Sequence, residues 1–108
     1  MSIDMMSKIM VGEKLRILRE ELKLPLRKVA AILDIDVAIL SKMERGERKI
    51  TKEVVLKLAE IYNYNANELL VSFLSDKILY EIQDEELGIE ALKVAEERVK
   101  YMKGGDGE

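Results

Sequence analysis

The stretch Leu33–Lys49, "LDIDVAILSKMERGERK", decides how the rest of the chain is read. Two acids flank Ile35, a short apolar and polar alternation follows, and Gly46 then sits among bases. Asp36 has the chemistry of an N-cap, because its carboxylate accepts from amides two or three residues on. The spacing predicts a helix from there to about Arg45, with Ile35, Leu40 and Met43 turned inward. Gly46 is expected to end it, since glycine adopts the left-handed backbone that a helix exit favours.

Asp34 and Asp36 also suggest the start of a calcium loop. That pattern fails, because the next ligand position is Ala38, the required glycine is Ile39 and the closing glutamate is Arg45.

Working outward, a helix is expected from near Ile9–Gly12, with Val11, Leu15, Leu18 and Leu22 on one face. Pro25 cannot continue it but suits the start of a second helix, which runs to about Leu33 and buries Val29, Ala30 and Leu33. Thr51 is placed to cap a fourth helix whose inward residues are Val55, Leu58, Ala59 and Tyr62. Asn65, with Glu68 three residues later, marks the start of a fifth. Short helices without strand signals imply an all-α fold.

Past Leu70 the pattern changes. Phe73, Leu74, Ile78, Leu79 and Ile82 continue a helical stripe, and Gly88 is expected to interrupt it. Ile89, Leu92, Ala95 or Glu96, Val99 and Met102 then recur at three- and four-residue steps. Such a seam is too narrow to make its own core and calls for a partner surface. The expected domains are an N-terminal segment, 1–9, partly flexible; a folded domain, 10–70; a helical extension for dimerisation, 71–103; and a flexible tail, 104–108.

Composition narrows the chemistry. The 108 residues contain no cysteine and no histidine, which excludes disulfides, thiolate–imidazole zinc sites and histidine acid–base catalysis. The remaining carboxylates, lysines, serines and tyrosines form no catalytic constellation, and neither a metal nor a cofactor is expected. Asp84, Glu85 and Glu86 read as a solvated helix start. No apolar run is long enough to span a bilayer, and the opening "MSIDMMSKIM" does not read as a signal peptide, so a cytoplasmic location is expected. The net charge of −3 conceals an asymmetry. Residues 1–65 hold 13 Lys and Arg against 10 Asp and Glu; residues 66–108 hold 5 against 11. A weakly basic front and an acidic back let one face approach a polyanion.

The string from Gly12 to Leu70 resembles the helix-turn-helix domains of the Xre/Cro type, found in phage repressors and many bacterial regulators. The marks in register are "LRILR" in the first helix, "VA" in the second, "SKMERG" through the third and "LAEIYNYNANELL" at the end. The resemblance implies a five-helix repressor-like helix-turn-helix domain with a C-terminal helical extension. It also implies that the third helix lies in the major groove of double-stranded DNA.

By family register, Val37, Ala38, Ser41 and Lys42 are the base-contacting positions. Lys42 would reach guanine O6 or N7, and Val37 and Ala38 would meet thymine methyls. The alternative for Val37 and Ala38 is that they shield the core. Arg27, Lys28, Arg45, Arg48, Lys49 and Lys52 are expected at phosphates, or else merely to keep helix ends soluble. Arg19 and Glu44 match a family pair that ties the first helix to the end of the third.

Two positions depart from the family pattern. Leu26 stands where many relatives carry a phosphate-binding glutamine, and Asp34 stands at a turn position often held by glycine.

The expected function is a sequence-specific transcriptional regulator that reads a palindromic operator as a homodimer. Phe73, Leu74, Ile78, Ile82, Ile89, Leu92 and Val99 are the candidate dimerisation residues, unless 71–82 fold back on their own domain. Control of a restriction–modification operon and antitoxin action are variants of this role. The alternative is a protein-interaction module in which the acidic C-terminal helices bind a protein partner and DNA is secondary.

Overall fold

The structure, a computed structural model, describes residues 8–104; of the ends expected at 1–9 and 104–108, residues 1–7 and 105–108 lie outside the described residues. Among the described residues six α-helices follow one another: α1 (Val11–Glu21), α2 (Leu26–Leu33), α3 (Val37–Glu44), α4 (Lys52–Ile61), α5 (Ala66–Ile82) and α6 (Gly88–Met102). None is long and apolar enough to cross a membrane. The chain divides into two units, Met1–Asp76 and Lys77–Glu108.

In the first unit each helix contributes one apolar stripe. Val11, Leu15 and Leu18 come from α1, Val29, Ala30 and Leu33 from α2, and Leu40 from α3. Val55, Leu58 and Ala59 come from α4 and Leu69 from α5, with Tyr62 following α4. Leu15, Leu40, Leu58 and Leu69 are fully buried, and each such side chain contributes about 2 kcal/mol by leaving water.

Three helix starts, those of α3, α4 and α5, are set by local side chains. Asp36 accepts from the Ala38 amide at 2.7 Å, Thr51 Oγ1 from the Val54 amide at 3.2 Å and Asn65 Oδ1 from the Glu68 amide at 3.1 Å. At α1 the service comes from 65 residues away. Met10 supplies no side-chain cap, and the Val11 amide donates instead to Asp76 Oδ2 at 2.9 Å. Burial raises the Asp76 pKa, opposed by that amide and by Lys14.

Four helices end in one hydrogen-bonding device, in which a left-handed residue turns two amides back onto the last carbonyls. The left-handed residues are Lys23, Asp34, Gly46 and Asn63. At α3 the Gly46 amide donates to the Met43 carbonyl at 3.2 Å and the Glu47 amide to the Lys42 carbonyl at 2.8 Å. At Asp34 a non-glycine residue takes φ 59°, a conformation that Asp and Asn tolerate better than most.

Three expectations change. Leu22 is 50% exposed, because α1 stops at Glu21 and the left-handed Lys23 swings the chain off the apolar stripe. The folded domain does not end at Leu70: α5 continues unbroken, burying Ser72 and Phe73, and the first unit runs to Asp76. Phe73, at 5% exposure, belongs to the core of this unit and is withdrawn from the dimerisation set.

The second unit holds the end of α5, a turn and α6. Gly88 opens α6 where an interruption was expected, and Asp84, Glu85 and Glu86 lie in the turn before it. A Cβ at Gly88 would stand 2.6 Å from the Ile82 carbonyl oxygen, so only glycine permits so tight a corner. Gly88 is the sole buried residue among the described residues of this unit, while Ile78, Leu79, Ile89, Leu92 and Val99 are exposed.

Gly12 fixes the approach of α1 to α3. A Cβ there would lie 2.4 Å from the Met43 carbonyl oxygen and 3.0 Å from that of Glu44, both rigid backbone. Gly12→Ala gains about 1 kcal/mol of helix propensity but meets an overpacking penalty of about 1–3 kcal/mol. The expected result is a net loss of about 1 kcal/mol in urea unfolding; a more stable variant would show that the two helices separate freely.

Candidate nucleic-acid interface

The surface is built on α2 and α3 and on the loop that leads into α4. Asp34 and Asp36 make the turn between the first two, and the Asp36 carboxylate is held by the amide of Ala38. Leu40, Met43 and Glu44 face inward from α3. Val37, Ala38 and Lys42 are exposed and Ser41 is half-buried. Val37, at 43% exposure, does not shield the core, and neither does Ala38. Leu26 packs against the core cluster instead of offering a polar group at the start of α2.

Exposed cations lie on the elements that precede and follow this helix in the chain. Arg27 and Lys28 stand exposed in the first turn of α2; Arg48, Lys49 and Lys52 stand exposed at the entry to α4.

Arg45 departs from this arrangement. Its Nε donates to Glu47 Oε2 at 3.1 Å and its Nη2 to Glu47 Oε1 at 3.0 Å, a two-pronged pair. Its Nη1 donates to Ser41 Oγ. The hydrogen bond from Arg45 holds the Glu47 carboxyl below the usual carboxylate range. In the structure Arg45, itself exposed, is thus turned toward Ser41 and Glu47.

Behind α3 lies the Arg19–Glu44 pair. Arg19 Nε donates to Glu44 Oε2 at 2.8 Å and Nη2 to Glu44 Oε1 at 3.1 Å. Nη1 donates to the Leu24 carbonyl at 2.9 Å, so one guanidinium joins α1, the chain before α2 and the last turn of α3. The two side chains are only 12% and 5% exposed. The bond to Glu44 raises the Arg19 pKa, with burial opposing it. Next to the pair, the Tyr62 hydroxyl is buried without a hydrogen-bond partner among the described residues. Burial first, and then the charge of Glu44, push its pKa well above the usual phenol value.

Reasoning from sequence missed three contributors. Gly12 carried a faint signal, as a glycine within an otherwise regular helix pattern. Glu47 was overlooked because its charge opposes the expected partner, although its spacing from Arg45 across Gly46 was visible. Asp76 carried no signal, since its amide partner is remote in sequence.

A helix-turn-helix family model matches residues 15–69, about half of the chain. The chain therefore belongs to that family, the Xre/Cro-type helix-turn-helix domains, and is a DNA-binding regulator of this class. No curated protein and no solved structure matches it.

Removing Glu44 leaves Arg19 buried with its charge uncompensated. Glu44→Ala is expected to destabilise by about 3 kcal/mol, a fall in Tm on the order of 15 °C. An unchanged melting curve would show that the pair does not hold α1 to α3.

Proposed function

We propose that the protein is a sequence-specific transcriptional regulator, a repressor or autoregulator, that reads a palindromic operator as a homodimer. The observation that carries this reading is the exposed outer face of α3, with exposed cations on the elements before and after it in the chain. A single α-helix fits the major groove of B-DNA, where all four base pairs present different donors, acceptors and methyl groups. Lys42 would donate to guanine O6 or N7, and Val37 and Ala38 would pack on thymine methyls. Arg27, Lys28, Arg48, Lys49 and Lys52 would neutralise phosphates. Because the apolar readers carry little hydrogen-bonding information, sequence-dependent duplex shape would contribute to selectivity.

One such module reads few base pairs and competes poorly against a genome of other sites. Two copies on a twofold axis would read half-sites about one helical turn apart. The apolar residues Leu74, Ile78, Ile89, Leu92 and Val99, all exposed, and the half-buried Ile82 support self-association through the C-terminal part of the chain. The excess acid of that part is consistent with a region kept away from the duplex.

Selection of bound sequences from random duplexes is expected to return an inverted repeat. If the dimer neutralises about eight phosphates, log K falls with log salt with a slope of roughly −7. Reversing charge at Lys42, Lys49 and Lys52 together should abolish retention on DNA. A reversed protein that still selects the repeat would defeat the reading. Loss of DNA binding with a heterologous protein partnership intact would instead favour the interaction-module alternative.

Ending the chain at Asp76 keeps Phe73 in the core and the bond to Val11, so the shortened protein is expected to fold as a monomer. Sedimentation equilibrium provides the check: a shortened protein that remains dimeric would move the interface into the first unit.

A further inference from the structure

Ser41 and Arg45 lie one turn apart on and just beyond α3, and the bond between them has a direction. A guanidinium can only donate, whereas a serine hydroxyl has one proton and two lone pairs. In a major groove a free serine is ambiguous. It can donate to purine N7, guanine O6 or thymine O4, or accept from the amino groups of cytosine and adenine. Arg45 Nη1 already donates to Ser41 Oγ, so one lone pair is filled and a positive charge sits beside the oxygen. A second donor, such as a cytosine amino group, would meet that charge. The serine proton, by contrast, is polarised for donation, since hydrogen bonds in a chain strengthen one another.

Arg45 is itself held. The Nε/Nη2 edge of its guanidinium is engaged by the two oxygens of Glu47, at 3.1 and 3.0 Å. Glu47 is anchored in turn, because its amide closes the last turn of α3 on the Lys42 carbonyl and Gly46 supplies the left-handed corner between them. An isolated surface pair would contribute little. Here a two-pronged pair and a backbone bond meet at Glu47.

We propose that Ser41 reads the operator as a hydrogen-bond donor, and so recognises an acceptor on a base edge, because the Glu47–Arg45 pair fixes its polarity. This rests on the regulator reading above and assigns Arg45 a new part. It is a positioning residue for Ser41, not a phosphate anchor, and Glu47 keeps it in place.

The test uses the full chain and the operator obtained by selection. Each half-site base is replaced in turn by an analogue lacking one acceptor (7-deazaguanine, 7-deazaadenine, 2-aminopurine for guanine, 5-methyl-2-pyrimidinone for thymine). A second series lacks one amino donor (2-pyrimidinone for cytosine, purine for adenine). One acceptor deletion is expected to weaken the unaltered protein about 3- to 10-fold, the net range of a single hydrogen bond, and to leave Ser41→Ala unaffected.

Arg45→Ala and Glu47→Ala should each relax selectivity at that same position. Arg45→Ala should leave the salt slope unchanged, while Glu47→Ala, by freeing Arg45, should steepen it by about 1 per subunit.

Three results overturn the proposal while the regulator reading stands. The first is Ser41-dependent discrimination that follows an amino-donor deletion. The second is the absence of any Ser41-dependent position. The third is an Arg45→Ala protein uniformly weaker on all sequences with a shallower salt slope, the behaviour of a phosphate contact. Failure to select any sequence would remove both readings together.

Discussion

Arg19 and Glu44 meet where α1 crosses the end of α3, beside a backbone contact at Gly12 that leaves no room for a side chain. The two features act in different ways. The glycine sets how near the helices lie, and the ion pair, with its third bond to the Leu24 carbonyl, sets their register. A charged pair this deeply buried recovers its desolvation only when geometry and hydrogen bonding are close to complete. The consequence is a narrow choice of positions for α3 relative to the core. The outward direction of Val37, Ala38 and Lys42 follows from it, so the proposed recognition surface depends on residues buried behind it.

The Tyr62 hydroxyl shows the limit of that arrangement. It sits near the pair, buried, and finds no acceptor among the described residues. An unpaired buried hydroxyl is unfavourable by about 1–3 kcal/mol, so the phenol is kept here for the packing of its ring against the core.

How much of this was legible in the sequence varied with the range of the interaction. Asp36, Thr51 and Asn65 were readable as caps because a short polar side chain and its amide are two or three residues apart. The core stripes of α1 to α4 were readable because period and burial coincide. Leu22 misled because helical spacing carries no information on where a left-handed residue stops the helix; Lys23 does so without being glycine. Phe73 misled because the change in composition near Leu70 suggested a boundary, whereas α5 continues and the core reaches one turn further. The Arg19–Glu44 pairing came from family resemblance, since no periodicity links residues 25 apart. Arg45 was grouped with the other bases by its charge and by its place at the exit of the third helix, where the family resemblance implies phosphate contact, and its engagement with Glu47 depends on how Gly46 bends the chain.

The Asp36 carboxylate bears on more than the folding of α3. By accepting from Ala38 it neutralises the partial positive charge that the first amides of a helix present. In the proposed mode of binding, a neighbouring sugar–phosphate strand would meet a carboxylate at the leading end of α3. Adhesion to the duplex would then fall to flexible cationic side chains, which bind any sequence and yield to salt. Such a molecule would slide readily along unrelated DNA and stop only where the outer face of α3 finds its bases, and ionic strength would govern how long it searches more than where it settles.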